Sequence, residues 1–245
     1  MRAHLIKELY VEAAHRNPRG GEAQRRLHGH SYRIAMLARG EPSADVGWVV
    51  DFAELKRLIA PVAAQLDHAY LNEIPGLEED TRLPALRDWI ERSMGILPIN
   101  HEQEPRAARP AWFAGVRVAI HGDLAFAPRR LPADLIDDLP ARIAFTFEAA
   151  QSLPQLPEGH PCRRMHGHSY RIEAAAEDLD GLEPILAALY DRLDHQRLNE
   201  VPGLETATVE HLCAYLWAWM RDRGARPTAV VVQETPSSRC VYYGE

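Results

Sequence analysis

Cysteine is scarce in this chain, with three residues, Cys162, Cys213 and Cys240, among 245. An odd and sparse set is not a disulfide framework and fits a reducing compartment. Basic clusters are missing as well. The formal net charge is −7 and the basic runs are short pieces such as Arg25-Arg26 and Arg129-Arg130, so a phosphate backbone finds little to hold and no nucleic-acid partner is expected. Long apolar runs are also absent. The first fifteen residues carry Arg2, Lys7, Glu8 and Glu12 where a signal sequence would be apolar, and no window approaches bilayer length, so no membrane partner and a cytoplasmic location are expected. What remains, 46% hydrophobic and 26% charged residues, is the composition of a soluble globular protein.

The sequence repeats itself. LHGHSYRI at 27–34 returns as MHGHSYRI at 165–172, QLDHAYLNEIPGLE at 65–78 as RLDHQRLNEVPGLE at 192–205, and YVEAAH, ending at His15, as TFEAAQ, ending at Gln151. Blocks recurring in one order mark a tandem duplication of a unit of roughly 110–130 residues. The copies differ in length: His28 to His68 spans 40 positions and His166 to His195 only 29. VGWVVDF at 46–52 has no counterpart in the second copy. The proline-rich segment 129–140 reads as a linker, giving a first unit over 1–128 and a second over 141–245.

Within each unit the expected order is strand, loop, strand, helix, helix, strand. HLIKELYVEAA and RIAFTFEAA alternate as first strands, and each HSYRI opens a second. FAELKRLIAPVAAQL, EPILAALYDRL, LPALRDWIERSM and VEHLCAYLWAWM have helical spacing. GVRVAI and TAVVVQET close the units. The predicted class is α+β, an antiparallel sheet with helices on one face.

Residues two apart on a strand share a face, so His28 and His30 can grip one ion, as can His166 and His168. Zinc in a catalytic site takes three protein ligands and keeps one position open. His15, ending the neighbouring strand, is the third candidate in the first half. Gln151 occupies that place in the second, and an amide oxygen is a poorer zinc ligand than imidazole. His160 is a possible substitute. One zinc per chain is therefore expected, on His15, His28 and His30, with His166 and His168 as a remnant. Cys213 and Cys240 read as packing residues, and Tyr215, Trp217 and Trp219 as core or interface.

FEAAQSLPQLPEGHPCRRMHGHSY, RLDHQRLNEVPGLE and VVVQETPSSRCVYYGE, which together span nearly all of 141–245 from first to last, closely resemble the 6-pyruvoyltetrahydropterin and 6-carboxytetrahydropterin synthases, the latter from queuosine (7-deazaguanine) biosynthesis. Residues 4 to about 97 resemble the same family through EAAH, RLHGHSY, GWVVDFAELK and LDHAYLNEIPG. The resemblance implies T-fold units that associate into a barrel, with sites between neighbours. It further implies a zinc on three histidines, a cysteine as proton-transfer base assisted by an Asp-His pair, and a glutamate on the last strand anchoring the pterin.

Carried onto this chain, the second half supplies Cys162, Asp194, His195, Glu210 and the pterin anchor Glu234. The first half supplies His15, His28, His30, Asp67 and His68, but has Gln24 in place of the cysteine, Leu83 in place of the helical glutamate and Ile120 in place of the anchor. The implied activity is zinc-dependent conversion of 7,8-dihydroneopterin triphosphate to 6-carboxy-5,6,7,8-tetrahydropterin. The alternatives are a degenerate tandem pterin-binding protein without that activity, and a lyase of the 6-pyruvoyltetrahydropterin synthase type acting on a related pterin. Six units complete a family assembly, so a homo-oligomer of three tandem chains is expected, with first halves in one ring and second halves in the other.

Overall fold

The computed structural model describes residues 2–95 and 110–244; the end of the first stretch of resemblance, beyond residue 95, lies outside them. In the first half β1 (Ala3–His15) leads through α1 (Glu22–Arg25) to β2 (His28–Gly40), α2 (Phe52–Leu66), β3 (Ala69–Tyr70), α3 (Leu83–Ser93) and β4 (Phe113–Ile120). The second half follows with β5 (Arg129–Leu131), β6 (Arg142–Gln151), β7 (His166–Ala176), α4 (Leu182–Leu193), β8 (Gln196–Arg197), α5 (Val209–Asp222), β9 (Pro227–Thr235) and β10 (Ser238–Tyr242). The first sheet has the order β3-β1-β2-β4, the second β10-β9-β7-β6-β5 with β8 pairing β6.

The expected linker is partly structured. Arg129–Leu131 pairs antiparallel with the start of β6, and Asp134 and Leu139 bridge each other. Pro132 and Pro140 fall between the strands, where a missing N–H removes no ladder hydrogen bond, so 129–131 belongs structurally to the second sheet.

Each sheet carries its helices on one face. Val11, Ala13, Tyr32 and Ile34 pack beneath Leu55, Ile59, Val62 and Leu66 of α2 and Leu86 and Ile90 of α3. Phe145, Phe147, Tyr170 and Ile172 do the same beneath α4 and α5. Cys213 lies fully buried in that core, with Tyr215, Trp217 and Trp219 packed partly buried against it.

The opposite faces pack on each other, which explains why the repeated motif is retained. Burial alternates along the first part of β1 and becomes continuous over Val11–His15, and every residue of β6 is buried. Strands read this way when both faces are covered. The crossing point is Gly29 against Gly167: a Cβ on Gly29 would stand 2.3 Å from the Gly167 Cα, and one on Gly167 2.2 Å from the Gly29 Cα. No other residue fits there. Next to them the Ser31 N–H donates to Ser169 Oγ and the Ser169 N–H to Ser31 Oγ, both at 3.1 Å, so the halves meet about an approximate twofold axis. In the repeated His-Gly-His-Ser the glycine and serine build the contact between halves, and the histidines flank it.

Candidate functional sites between the halves

Two clusters lie beside this crossing, each assembled from both halves. In the first, His15 and His28 end paired strands opposite one another, and His30 lies two residues further along. Candidate ligand atoms of the three histidines all lie within 4.8 Å of one another. Their outward nitrogens are tied. His15 Nδ1 donates at 2.7 Å to Thr81 Oγ1, whose own hydrogen goes to the Arg16 carbonyl, and His28 Nδ1 donates at 2.8 Å to the Arg26 carbonyl. His30 Nδ1 lies 2.6 Å from Glu148 Oε2, a carboxylate of the other half. Nε2 of His15 and Nε2 of His30 are left 3.0 Å apart. Two ring nitrogens facing each other need a proton or a cation between them. Their spacing is near the roughly 3.3 Å edge of a zinc tetrahedron with bonds of about 2.0–2.1 Å, so these residues fit a metal.

Burial holds His15 well below the usual imidazole range and, with the neighbouring histidines, pushes His28 and His30 down to about 3. Neutral imidazole is the ligating form. The shift also sets a stability prediction. The unfolded chain takes up protons at these histidines near pH 6.5, whereas the folded metal-free protein resists down to about 3. The unfolded state therefore binds more protons in that window, and stability falls as pH drops. Melting temperatures of chelator-treated protein between pH 7 and 4 are expected to decline steadily; a flat profile rules this out.

The fourth wall of this cluster comes from the second half. The His195 ring lies tilted against His28 with centroids 4.3 Å apart, and His195 Nδ1 lies 2.6 Å from Asp194 Oδ2. The second cluster mirrors it: the His68 ring lies 4.5 Å from His166, and His68 Nδ1 lies 3.0 Å from Asp67 Oδ2. Sequence order assigns each Asp-His pair to its own half. The structure exchanges them, because the pairs sit on the faces that meet at the crossing. The anchoring is equivalent in both halves. The Glu12 N–H donates to Asp67 Oδ1 and the Glu148 N–H to Asp194 Oδ1. The His68 and His195 N–H groups donate to the Glu12 and Glu148 carbonyls at 2.6 Å. Both histidines adopt left-handed backbone, φ 53° and 54°, which costs a non-glycine residue about 1–2 kcal/mol and marks a position fixed by its surroundings.

In the second cluster Cys162 Sγ lies 3.6 Å from His68 Nε2. Burial, with Glu234 and Asp67 nearby, pushes the thiol up. His166 Nδ1 donates to the Arg164 carbonyl at 2.8 Å, and His168 Nδ1 meets Glu12 Oε2 of the first half at 2.9 Å. Burial opposes a charge on His168, but Glu12 and Glu234 outweigh it and raise the group. The third-ligand place holds Gln151, whose Nε2 donates to Glu234 Oε1 at 2.5 Å.

His160 does not join the cluster. It is exposed, and its Nδ1 accepts from the Cys162 N–H, capping a short helical turn. Glu210 is exposed in the first turn of α5, where its own backbone N–H and Thr208 hold its carboxyl low. With α3 and α5 aligned from their first residues, Pro84 rather than Leu83 takes its place in the first half. Gln24 falls in α1 and Ile120 ends β4.

Sequence reasoning missed the carboxylates Glu12 and Glu148, although each lies within a repeated block. It also missed Thr81. The same helix alignment places Ala207 opposite Thr81, so the hydroxyl that orients His15 is gone where His15 itself has become Gln151.

The fold and these clusters define a tandem α+β protein with two composite, histidine-rich sites. The chain belongs to the 6-pyruvoyl tetrahydropterin synthase family, whose model matches residues 4–102 and 141–245, and each unit is a T-fold. The chain is 40% identical over 91 residues to the 6-carboxy-5,6,7,8-tetrahydropterin synthase of a Synechocystis species, covering 35% of this chain and 70% of that protein. It is 35% identical over 79 residues to the Bacillus subtilis enzyme of the same name, covering 32% of this chain and 52% of that protein. The chain thus spans about half the length of the latter. Among solved structures, the 6-pyruvoyl tetrahydropterin synthase of Caenorhabditis elegans matches at 20% identity over 38% of this chain and 77% of that one, with a TM-score of 0.34. No helix among the described residues is long and apolar enough to cross a membrane.

Proposed function

We propose that the chain is a zinc-dependent enzyme of the 6-carboxytetrahydropterin synthase type, converting 7,8-dihydroneopterin triphosphate to 6-carboxy-5,6,7,8-tetrahydropterin. The observation that carries this reading is the line Asp67–His68–Cys162 built across the halves, with His68 Nε2 3.6 Å from the thiol. Asp67 orients His68, as the carboxylate does in a nucleophile–His–Asp triad. His68 Nε2 takes the Cys162 proton, and the thiolate removes a proton from the pterin side chain. Glu234 anchors the ring, whose N–H and exocyclic amine present donors to its carboxylate. A zinc ion would polarise the side-chain hydroxyls and make the adjacent C–H acidic, and for Cys162 to remove that proton the ion would have to stand in the second site, where His166 and His168 lie. His15, His28 and His30 would hold such an ion in the first site, beside Asp194 and His195. Incubation with 7,8-dihydroneopterin triphosphate is expected to release 6-carboxytetrahydropterin and acetaldehyde; absence of turnover by metal-replete protein defeats this reading in favour of a pterin-binding protein.

We propose further that three chains assemble with first halves in one ring and second halves in the other. The contact at Gly29 and Gly167 already joins the two kinds of half within one chain, and β4 and β10 leave each sheet an open edge of the kind that pairs with another chain. Mass measurement in solution is expected to give a trimer; a stable monomer or dimer contradicts it.

A further inference from the structure

We infer that the second site holds its own divalent metal ion, with the amide oxygen of Gln151 as the ligand that replaces His15. Gln151 pairs in register with His166 as His15 pairs with His28, so the amide starts from the same place on the same framework. The His166 and His168 rings lie 5.0 Å apart, as do those of His28 and His30.

Gln151 Oε1, His166 Nε2 and His168 Nε2 are all buried and all without a hydrogen-bond partner. His168 Nε2 does lie 3.3 Å from Glu234 Oε1, but not in hydrogen-bond geometry. Their orientation is determined by what holds the other end of each group. The Arg164 carbonyl and the Glu12 carboxylate take the two Nδ1 atoms. Glu234, an acceptor, draws the amide nitrogen of Gln151 and so turns its oxygen the other way.

Buried polar atoms without partners are rare in native proteins and call for an ion or a water. A water molecule has two hydrogens to give, and three acceptors are present when the His168 ring is neutral, the form that binds a metal. One cation held on this framework would satisfy all three. The Glu234 carboxylate on the amide N–H also polarises Gln151 and makes its oxygen a better donor, the role that an outer carboxylate plays behind a ligating histidine. An N₂O set with a neutral oxygen binds first-row divalent ions less tightly than three imidazoles, so this ion is the weaker of two. For its consequence, that a metal stands beside Cys162, the inference rests on the proposed activity. Its test reads metal alone, so the two fail separately.

The full-length protein, stripped with a chelator and titrated with Co(II), is expected to take up two ions per chain by elemental analysis. His28→Ala should retain one. Gln151→Leu in the wild-type background should weaken the second ion at least tenfold, and Gln151→His should tighten it at least tenfold. Uptake of a single ion by wild type, or a second ion indifferent to Gln151→Leu, overturns the proposal. So does a thiolate-to-cobalt charge-transfer band that disappears in Cys162→Ser, because the ion would then sit on His68, Cys162 and His166, whose candidate ligand atoms also lie within 4.8 Å of one another. Circular dichroism of each variant separates loss of metal from loss of fold, and the two glutamine variants decide the matter should His28→Ala not fold.

Discussion

Cys162→Ala is expected to lower kcat for 7,8-dihydroneopterin triphosphate by about 10²–10⁴-fold, the range that a positioned proton-transfer group contributes, while leaving pterin binding nearly intact. The thiol is the sulfur within reach of His68, 3.6 Å away. The other two cysteines stand with the core and the last strand, Cys213 fully buried and Cys240 packed against the same cluster, so neither can take its place. Steady-state kinetics check this. Full activity in Cys162→Ala would remove the second site as the seat of proton transfer and move attention to the first, where His195 faces the three histidines without a thiol. His68→Ala should produce a comparable loss although it lies 94 positions from Cys162 in the chain. That pairing would not be tested from sequence order alone.

Glu234→Ala is expected to weaken pterin binding by well over tenfold. Removing one partner of a buried, charged hydrogen-bonded pair costs about 2–5 kcal/mol, and Ile120, at the corresponding end of the first half, has no acceptor to offer. Calorimetry with a pterin ligand reads the change, and unaltered affinity would place the ring elsewhere. Glu234 is already engaged, donating nothing and accepting from Gln151 at 2.5 Å. The substitution therefore also frees Gln151, and loss of the weaker metal should accompany loss of the pterin. Glu234→Gln separates these effects: it retains an oxygen for the Gln151 amide but presents a donor in place of one carboxylate oxygen to the ring.

Several features were legible in the sequence because they depend on local periodicity. The duplication, the alternation in VEAAH and FEAAQ, the helical spacing of FAELKRLIAPVAAQL and the shared face of His28 and His30 all follow from residue spacing along one chain segment. The three-histidine set was legible for the same reason, since an antiparallel pair brings the end of one strand opposite the start of the next. The strand at 129–131 was not, because a proline-rich segment reads as a linker and only the fold pairs Arg129–Leu131 with β6 while leaving Pro132 and Pro140 outside the strands.

Tertiary structure alone decided which half completes which site. The sequence by itself determined that each half would carry an Asp-His pair and a His-Gly-His strand. Exchange of the pairs follows from the face-to-face packing of two sheets at Gly29 and Gly167, where the absence of side chains lets backbones approach closely enough for Glu12 to reach His168 and Glu148 to reach His30. Spacing within one unit contains no information about a contact between units. Gln151 shows the same division: in the sequence it is a lost histidine, and in the fold it is an oriented amide whose oxygen is buried without a hydrogen-bond partner, because the carboxylate that turns it lies 83 residues away.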